Sequence, residues 1–195
     1  MKIYFGYAVC IILFSSFFLN AQEKNNFELI GDLITQSIEK IELKSDEVNL
    51  NLIISEGFEP LQNRIYSAFK DKFSAVSVKK SDQSLINYSI NSINVEYGET
   101  FKDGFFGDIF AERKIEISGN YSIIENSKLV ETKDFLESIE DTVNFGNLKS
   151  IENYSLPFTQ GEKPNEPFLS GLTEPAIAIG TAIVTVVLFF TVRSN

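Results

Sequence analysis

The sequence predicts an α+β fold, a two-layer sandwich in which two helices pack on a mainly antiparallel sheet that ends in a three-strand meander. Three observations predict it. Two stretches place apolar residues at intervals of three and four, which is typical of helices that bury one face. Several other stretches alternate apolar and polar residues, as half-buried strands do. A final uncharged apolar run adds a predicted C-terminal transmembrane helix.

The first two helices and the strand between them follow from this spacing. Apolar residues recur over 26–44 on one helical face, at Phe27, Ile30, Ile34, Ile38 and Ile41. Alternation over 48–54 predicts a strand. Pro60 suits the first turn of a second helix, whose apolar stripe runs to Phe73. Residues 75–78 are expected to form a short edge strand.

Three longer strands complete the predicted sheet. The alternation over 86–97 changes phase once, and a bulge near Asn91 and Ser92 would return both halves of this strand to the core face. Alternation over 115–123 and 129–137 predicts two further strands with a polar turn between them. These three strands form the predicted meander.

This element order resembles the small periplasmic α/β domains of bacterial envelope assembly lipoproteins, such as the curli-secretion and flagellar outer-membrane assembly families and the N-terminal domain of the Tol translocation protein. The resemblance covers residues 26 to about 140 and rests on the order helix, strand, helix, short strand and meander, not on a signature motif. It implies an envelope accessory or assembly role and brings no catalytic residues. The chain departs from those families because it lacks a lipid-bearing cysteine and ends in an apolar run.

The N-terminus reads as a secretion signal. Lys2 precedes an uncharged apolar run, and the small residue Ala21 stands just before polar residues, so we predict a signal peptide over 1–21 that is cleaved after Ala21. The alternative is an uncleaved anchor, since the run reaches the lower limit for a membrane span.

The uncharged run at 176–192 predicts a transmembrane helix over 174–192 and a cytoplasmic tail over 193–195. With either fate of the signal peptide, the chain would be a single-pass protein of the inner (cytoplasmic) membrane, with residues 22–173 on the periplasmic or extracytoplasmic side. Small residues spaced by four along the span would let two copies approach closely and form a homodimer. The residues singled out in the predicted span are Ala176, Gly180, Phe189 and Phe190.

The middle of the chain divides in two. Residues 22–143 carry regular periodicity and are long enough for one domain with its own core. Residues 144–173 lack periodicity and contain several Pro and Gly, so they are predicted to be a tether. Two apolar motifs on it, at 156–158 and 167–169, would touch the domain surface or the lipid interface, or form a recognition segment for a partner.

Composition excludes several functions. The chain has no His, and its single Cys10 lies in the predicted signal peptide, so neither a His-based catalytic pair nor a thiolate zinc site is available. A net charge of -10 disfavours binding to nucleic acid and to anionic lipid surfaces. No cofactor or metal site is expected, and the chain is predicted not to be an enzyme.

A candidate contact surface lies in the loop predicted at 98–110, between the first two strands of the meander. It contains Phe101, Phe105, Phe106 and Phe110, which would form an exposed apolar patch that contacts a partner or the nearby bilayer. The alternative is that these rings fold back onto the core. Acidic residues in and beside the loop lack the spacing of a calcium loop, and we expect a solvated rim.

These features together predict a non-enzymatic, membrane-anchored cell-envelope protein that acts through protein contacts in envelope assembly or transport, with partners that the sequence does not identify. The alternative is a membrane-anchored binding module for a small or lipidic ligand, held in an apolar cleft between the helices and the sheet.

Overall fold

The computed structural model describes residues 23–43, 45, 47–77, 84–104, 107–165 and 173–193. The five strands are β1 (Glu47–Ile54), β2 (Ala75–Ser77), β3 (Ser84–Lys102), β4 (Ile109–Glu125) and β5 (Lys128–Asn144). The α-helices are α1 (Asn26–Glu39), α2 (Gln62–Lys72), α3 (Leu148–Ile151) and α4 (Thr173–Arg193). Single 3₁₀ turns occupy Glu59–Leu61, Phe145–Asn147 and Pro157–Thr159. The predicted signal peptide over 1–21 lies outside the described residues.

The fold is α+β, with one five-stranded mixed sheet in the order β2-β1-β3-β4-β5. β3, β4 and β5 form an antiparallel meander, whereas β1 runs parallel to both β2 and β3. Most of the paired residues lie in the antiparallel meander, so the sheet is mainly antiparallel, and the parallel pairing of β1 makes it mixed. The physical reason is that α2 follows β1, and a chain that crosses a sheet through a helix returns in the same direction. Alternation within one strand carries no information about the direction of its neighbours.

The start of α1 is fixed by a capping box. The Asn25 side chain accepts a hydrogen bond from the backbone N–H of Glu28, whose carboxylate accepts one from the backbone N–H of Asn25. The apolar stripe that follows faces the sheet, and Ile30, Ile34 and Ile38 are at most 1% exposed. The 3.6-residue period thus places this helix on the core.

The end of α1 lies at Glu39, earlier than the predicted end at Lys44. Lys72, in the last turn of α2, donates from Nζ to the carbonyl oxygens of Ile38, Glu39 and Ile41 at 2.9, 2.6 and 2.5 Å. The Ile38 carbonyl also accepts from the backbone N–H of Ile41, so the ammonium group adds to the backbone hydrogen bonding at this helix end. A cation there also interacts favourably with the helix dipole. A residue from the next helix therefore caps α1.

Helices α1 and α2 cover one face of the sheet. Tyr88 of β3 stacks on Phe135 of β5 with ring centroids 5.3 Å apart, and Phe69 of α2 meets Tyr88 edge-on at 5.4 Å. Buried aliphatic side chains from both layers fill the rest of the space. The opposite face carries a ladder of Asn and Ser side chains, in which Asn51 donates to Asn87 and Asn87 to Ser122.

The bulge predicted near Asn91 and Ser92 is confirmed, because the register between β3 and β4 shifts between Ile90 and Ser92. It keeps Tyr88 and Ile90 before the shift, and Val95 after it, on the helix side of the sheet. The strands extend further than predicted, to Lys102 in β3, from Ile109 in β4 and to Asn144 in β5. Charged residues at core-facing positions of β4 and β5, such as Arg113 and Glu137, interrupt the apolar alternation there, so the pattern ends before the hydrogen-bonded ladder does.

Residues 145–165, which we call the covering segment, pack on the domain. Leu148 and Ile151 are buried against Ala111 and Val143, and Phe158 packs in the main core. This part of the chain was predicted to belong to a tether over 144–173, and the structure differs because isolated apolar anchors hold it. Its 3₁₀ turns and single-turn helix are too short to give a periodic pattern. Residues 166–172 of the predicted tether, including 167–169, lie outside the described residues.

The apolar run near the C-terminus forms α4, and its side chains from Ala176 to Thr191 are all exposed. Within the part of the chain that the structure describes, no helix combines the length and the apolar character needed to cross a membrane. The predicted transmembrane helix over 174–192 is therefore wrong. Its uncharged run lies at the lower limit of the roughly 17–25 residues that a span needs, and Gly180 and three Thr dilute its apolar surface.

Several predictions depended on that helix and are wrong with it. They are the single-pass topology, the inner-membrane location with residues 22–173 on the outer side, attachment to the membrane through the C-terminal helix, and a homodimer formed through the span. The residues assigned to the span, Ala176, Gly180, Phe189 and Phe190, lie on α4, where the last two rings meet edge-on at 5.9 Å.

Candidate functional site

The hairpin between β3 and β4 brings two of the four predicted contact residues together. Phe101 and Phe110 are directly opposite in the register, with stacked rings whose centroids are 5.9 Å apart. Phe101 is 45% exposed, and Phe110 is partly buried. We call these two residues the aromatic pair. Phe105 and Phe106 lie outside the described residues.

The aromatic pair forms because β3 and β4 both extend into the region 98–110, which was predicted to be a loop. Cross-strand pairing of β3 with β4 resumes at Thr100 and Ala111 after an irregularity that begins at Tyr97. Directly opposite side chains in an antiparallel pair lie about 5 Å apart, close enough for two rings to stack. The remaining connection spans 103–108, where the backbone N–H of Asp103 donates to the carbonyl of Asp108 at 2.9 Å.

A surface groove lies beside the aromatic pair. Pairing of β1 with β3 ends at Ile54 and Ile90, so the second half of β3 has no neighbouring strand on that side among the described residues. Residues 161–165 of the covering segment lie there instead, and Thr100 donates from Oγ1 to the carbonyl of Asn165 at 2.7 Å. The groove between 97–100 and 162–165 has a volume of about 640 Å³ and mixed polar and apolar walls.

Arg113 is a buried charged side chain at the same end of the sheet as this groove. Arg113 of β4 is 2% exposed and holds Asp141 of β5 through two parallel hydrogen bonds, from Nε at 2.8 Å and from Nη2 at 2.5 Å. Its Nη1 donates to the carbonyl of Lys24 and to Oδ1 of Asn26, both at 2.9 Å. Such a bidentate pair fixes orientation as well as charge.

Asn26 extends these contacts to the covering segment. Its Nδ2 donates to the hydroxyl of Tyr97 and to the carbonyl of Thr159, both at 2.8 Å. Burial raises the pKa of Tyr97 to about 12, against the opposing effect of the Asn26 hydrogen bond, so this phenol stays neutral at neutral pH. We call Arg113, Asp141, Asn26, Tyr97 and Thr159 the Arg113 network.

The Arg113 network is arranged to hold the fold. Among the described residues, every buried side-chain nitrogen and oxygen has a hydrogen-bond partner. The network joins the entry to α1, three strands and the covering segment. Tyr97, Arg113 and Asp141 also line a surface groove of about 460 Å³. Sequence reasoning missed the network, although Arg113 occupies a core-facing position in the alternation that continues through Ile115 and Ile117, which is the signal that indicates it.

A second polar contact crosses the layers under α1. The hydroxyls of Ser37 and Tyr88 lie 2.6 Å apart, and burial raises the pKa of Tyr88. Glu137 of β5 is 5% exposed and binds Nζ of Lys40 through both carboxylate oxygens, at 2.6 and 2.7 Å. Each buried oxygen is thus paired within the fold.

The described acidic residues near the hairpin form no cluster that could hold a metal ion. Within the described residues, no group of three or more potential ligands is placed to hold a metal ion. Glu112 lines a groove of about 460 Å³ with Glu96 and Glu140, and Lys114 lies among them, 3.5 Å from Glu140. The ammonium group offsets the carboxylates where a cation would bind.

The apolar ligand cleft predicted between the helices and the sheet is occupied by the core itself. Leu50, Ile65, Phe69, Ile86 and Ile117 meet there and are at most 2% exposed. Close packing of this kind leaves no room for a ligand without displacing side chains.

No protein-family model and no curated protein sequence matches the chain. Among solved structures, the chain is similar to the rare lipoprotein B from Shewanella oneidensis, with 12% identity, a TM-score of 0.32, and coverage of 74% of this chain and 97% of that one. It is also similar to a hemagglutinin homolog from Helicobacter pylori, with 10% identity, a TM-score of 0.33, and coverage of 52% of this chain and 68% of that one. Both are bacterial proteins, and similarity this low shows no family and carries no argument about function.

Proposed function

We propose that the chain is a non-enzymatic protein of the bacterial cell envelope, that it acts through protein contacts in envelope assembly or transport, and that the aromatic pair is part of its contact surface. The proposal rests on the half-exposed stacked rings of Phe101 and Phe110 at the β3–β4 hairpin. Aromatic side chains are enriched at protein interfaces because they bury a large apolar area with little loss of side-chain entropy.

The polar chemistry of the described residues supports a non-enzymatic role. An active site needs titratable groups that converge on a cavity with unused hydrogen-bonding capacity. The buried groups here, such as Arg113 and Glu137, are engaged in ion pairs that join parts of the fold. Placement in the envelope rests on the predicted signal peptide and on the element order.

Site-specific photocrosslinking tests the contact surface. The photoreactive residue p-benzoylphenylalanine replaces Phe101 in the full-length chain, and cells are irradiated before the adducts are separated by mass. We expect a discrete adduct with one protein. The matched control carries the same residue at Ile53, which is 56% exposed on β1 and lies away from the hairpin. Adducts of the same mass and yield at both positions, or none at 101, would contradict the proposal.

A second variant separates binding from folding. With the photoreactive residue at 101, the change Phe110→Ser removes the stacked ring, and we expect the adduct to fall at least fivefold while the thermal melt shifts little. Exposed substitutions usually change stability by less than about 0.5 kcal/mol, and partly buried ones by somewhat more. If the melt collapses instead, the pair belongs to the core, and the contact proposal is wrong.

A further inference from the structure

Main-chain carbonyl oxygens converge on one point at the C-terminal end of α1. The chain makes a tight turn there, in which the backbone N–H of Ile41 donates to the carbonyl of Ile38 at 3.0 Å. The point is occupied by Nζ of Lys72, which lies 2.9, 2.6 and 2.5 Å from the carbonyl oxygens of Ile38, Glu39 and Ile41. Because carbonyl oxygens only accept hydrogen bonds, these contacts use every N–H of a protonated amine.

An aromatic ring completes the surroundings of this ammonium group. Nζ of Lys72 lies 5.6 Å from the centroid of the Phe73 ring, which is 5% exposed and stacks on Phe69 with centroids 6.1 Å apart. A cation within about 6 Å of a ring face is attracted by the negative charge on that face. We call the carbonyls of Ile38, Glu39 and Ile41 and the ring of Phe73 the ammonium cage.

The charges around the ammonium cage also favour a cation. The carbonyl end of a helix carries partial negative charge. Burial lowers the pKa of Lys72, and the negative charges of Glu39 and Glu42 oppose this shift. Lys72 is partly buried and Glu39 is exposed, so the cage lies at the surface, where an ion from the solvent can reach it.

We propose that the ammonium cage is a recognition site for a primary ammonium group, that Lys72 is its resident ligand, and that a free alkylammonium ion binds there when this side chain is shortened. Recognition depends on N–H donors as well as on charge, because the acceptors converge on a single nitrogen. Through this contact the last turn of α2 fixes the place where the chain leaves α1.

Other cationic groups fit the ammonium cage poorly. A guanidinium spreads its N–H donors over a planar fork, and a quaternary ammonium has no N–H to donate. A site that attracted positive charge alone would accept these groups as well as a primary ammonium. Selectivity among cations of equal charge therefore separates recognition from general electrostatic attraction.

Chemical rescue in the full-length chain tests the proposal. Lys72→Ala removes the outer methylene groups and the ammonium group, and n-propylammonium contains the same carbon and nitrogen atoms. We expect Lys72→Ala to lower the urea midpoint of unfolding. A ligand that binds only the folded chain stabilises it, so about 0.2 M n-propylammonium chloride should restore at least half of the loss, whereas tetramethylammonium chloride at the same concentration should not.

The matched control is Lys70→Ala, at an exposed position in the same last turn of α2. Neither this variant nor the wild type should gain more stability from n-propylammonium than from tetramethylammonium. The proposal would be overturned by equal stabilisation of Lys72→Ala by both salts, by an equal selective gain in Lys70→Ala, or by a Lys72→Ala chain as stable as the wild type.

A chemically installed side chain keeps the test decisive where Lys72→Ala does not fold. Lys72→Cys is combined with Cys10→Ser, so that one thiol remains, and the unfolded chain is alkylated before refolding. Alkylation with 2-bromoethylamine gives an ammonium side chain as long as lysine, whereas (2-bromoethyl)trimethylammonium gives the same charge without N–H donors.

We expect the aminoethyl product to have a urea midpoint close to that of the wild type. The trimethylammonium product should be no more stable than the uncharged product of iodoacetamide. Equal midpoints for the two cationic products, or an aminoethyl product that does not refold, would contradict recognition of a primary ammonium at this site.

Discussion

The two ends of the sheet are covered by different kinds of structure. At one end, α1 and α2 pack regular apolar stripes on strand residues such as Ile86, Tyr88 and Ile117. At the other end, the irregular covering segment packs against Ala111 and Val143, and the Arg113 network is buried beneath it. We call these the helix-covered end and the segment-covered end.

The difference shows two ways to close a sheet. The helix-covered end is held mainly by apolar burial, which tolerates changes of side chain provided that volume is kept. The segment-covered end depends on a buried guanidinium whose bonds all need specific partners, and removal of one partner leaves a buried charge unpaired. We therefore expect the segment-covered end to be the more sensitive to single polar substitutions.

The largest expected effect comes from removing the covering segment. A fragment of residues 22–165 should unfold in one cooperative urea transition, whereas a fragment of residues 22–143 should not. The truncation removes Leu148, Ile151 and Phe158, each contributing about 1.5–3 kcal/mol of burial, against a typical domain stability of about 5–15 kcal/mol. Far-ultraviolet circular dichroism against urea measures this. Equal midpoints for the two fragments would show that the segment is a passive tether.

The next effect concerns the buried guanidinium. Arg113→Ala in the 22–165 fragment should lower the free energy of unfolding by about 3 kcal/mol or more, because a charged donor is lost to Asp141, to Asn26 and to the carbonyl of Lys24. Asp141 is 37% exposed, so water replaces part of what this carboxylate loses. The control is the neighbouring Lys114→Ala, whose exposed ion pairs should contribute less than about 1 kcal/mol. Urea midpoints at constant m-value measure both.

A double variant tests whether the ion pair stabilises the fold more than two apolar side chains of similar volume would. Arg113→Met with Asp141→Leu replaces both charges, so neither is left buried alone, and it should be less destabilised than Arg113→Ala. A double variant as unstable as the single one would mean that the other contacts of Arg113, to Lys24 and Asn26, dominate.

The difference between the helix-covered end and the segment-covered end also explains which parts of the fold the sequence predicts well. The stripe of Ile30, Ile34 and Ile38 and the phase change near Asn91 mark the helix-covered end, because regular elements repeat their burial at a fixed period. The covering segment has no such period, and its anchors, such as Phe158, are recognisable only once their partners are known. The parallel pairing of β1 is likewise not visible in its own alternation, since pairing is a property of two strands.

The candidate site, too, could be predicted from the sequence only in part. Phe101 and Phe110 are visible in the sequence as unusual aromatic residues in a glycine-rich stretch, but their direct opposition depends on strands that continue beyond the apolar pattern. Arg113 was overlooked because a charged residue is by default assigned to the surface. The alternation of β4 nevertheless puts it on the core side, which is the physical signal that outweighs that default.

A further prediction concerns Phe158, which anchors the covering segment on the core. Phe158 is 9% exposed, and its ring meets the edge of Phe58 at 5.5 Å and lies 6.3 Å from Phe27. Phe158→Ala should destabilise the 22–165 fragment by about 3 kcal/mol, the usual range for a buried aromatic side chain. Tyr154→Ala, at a 64% exposed position of the same segment, should change stability by less than about 0.5 kcal/mol. If both variants lose a similarly small amount of stability, the covering segment does not pack on the core.

The smallest expected effect is a pH dependence at the segment-covered end. The pKa of Tyr97 is about 12 in the folded chain, against an ordinary value of 10.0, with burial as the main cause. Between these two values the unfolded chain releases the phenol proton while the folded chain keeps it, so stability is fully present below pH 10 and falls as pH rises towards 12. The slope is at most about 1.4 kcal/mol per pH unit for one such group.

Tyr97→Phe isolates this contribution from the other titrating groups. At pH 8 the variant should be less stable by about 1 kcal/mol, because Nδ2 of Asn26 loses the hydroxyl that accepts its hydrogen bond. As pH rises from 10 to 12, the gap to the wild-type fragment should narrow, since only the wild type still has the buried phenol to lose. Tyr154→Phe, at an exposed position, should track the wild type throughout. A gap that stays constant across this range would show that Tyr97 is solvated in the folded chain, and the covering segment would then not seal this end of the sheet.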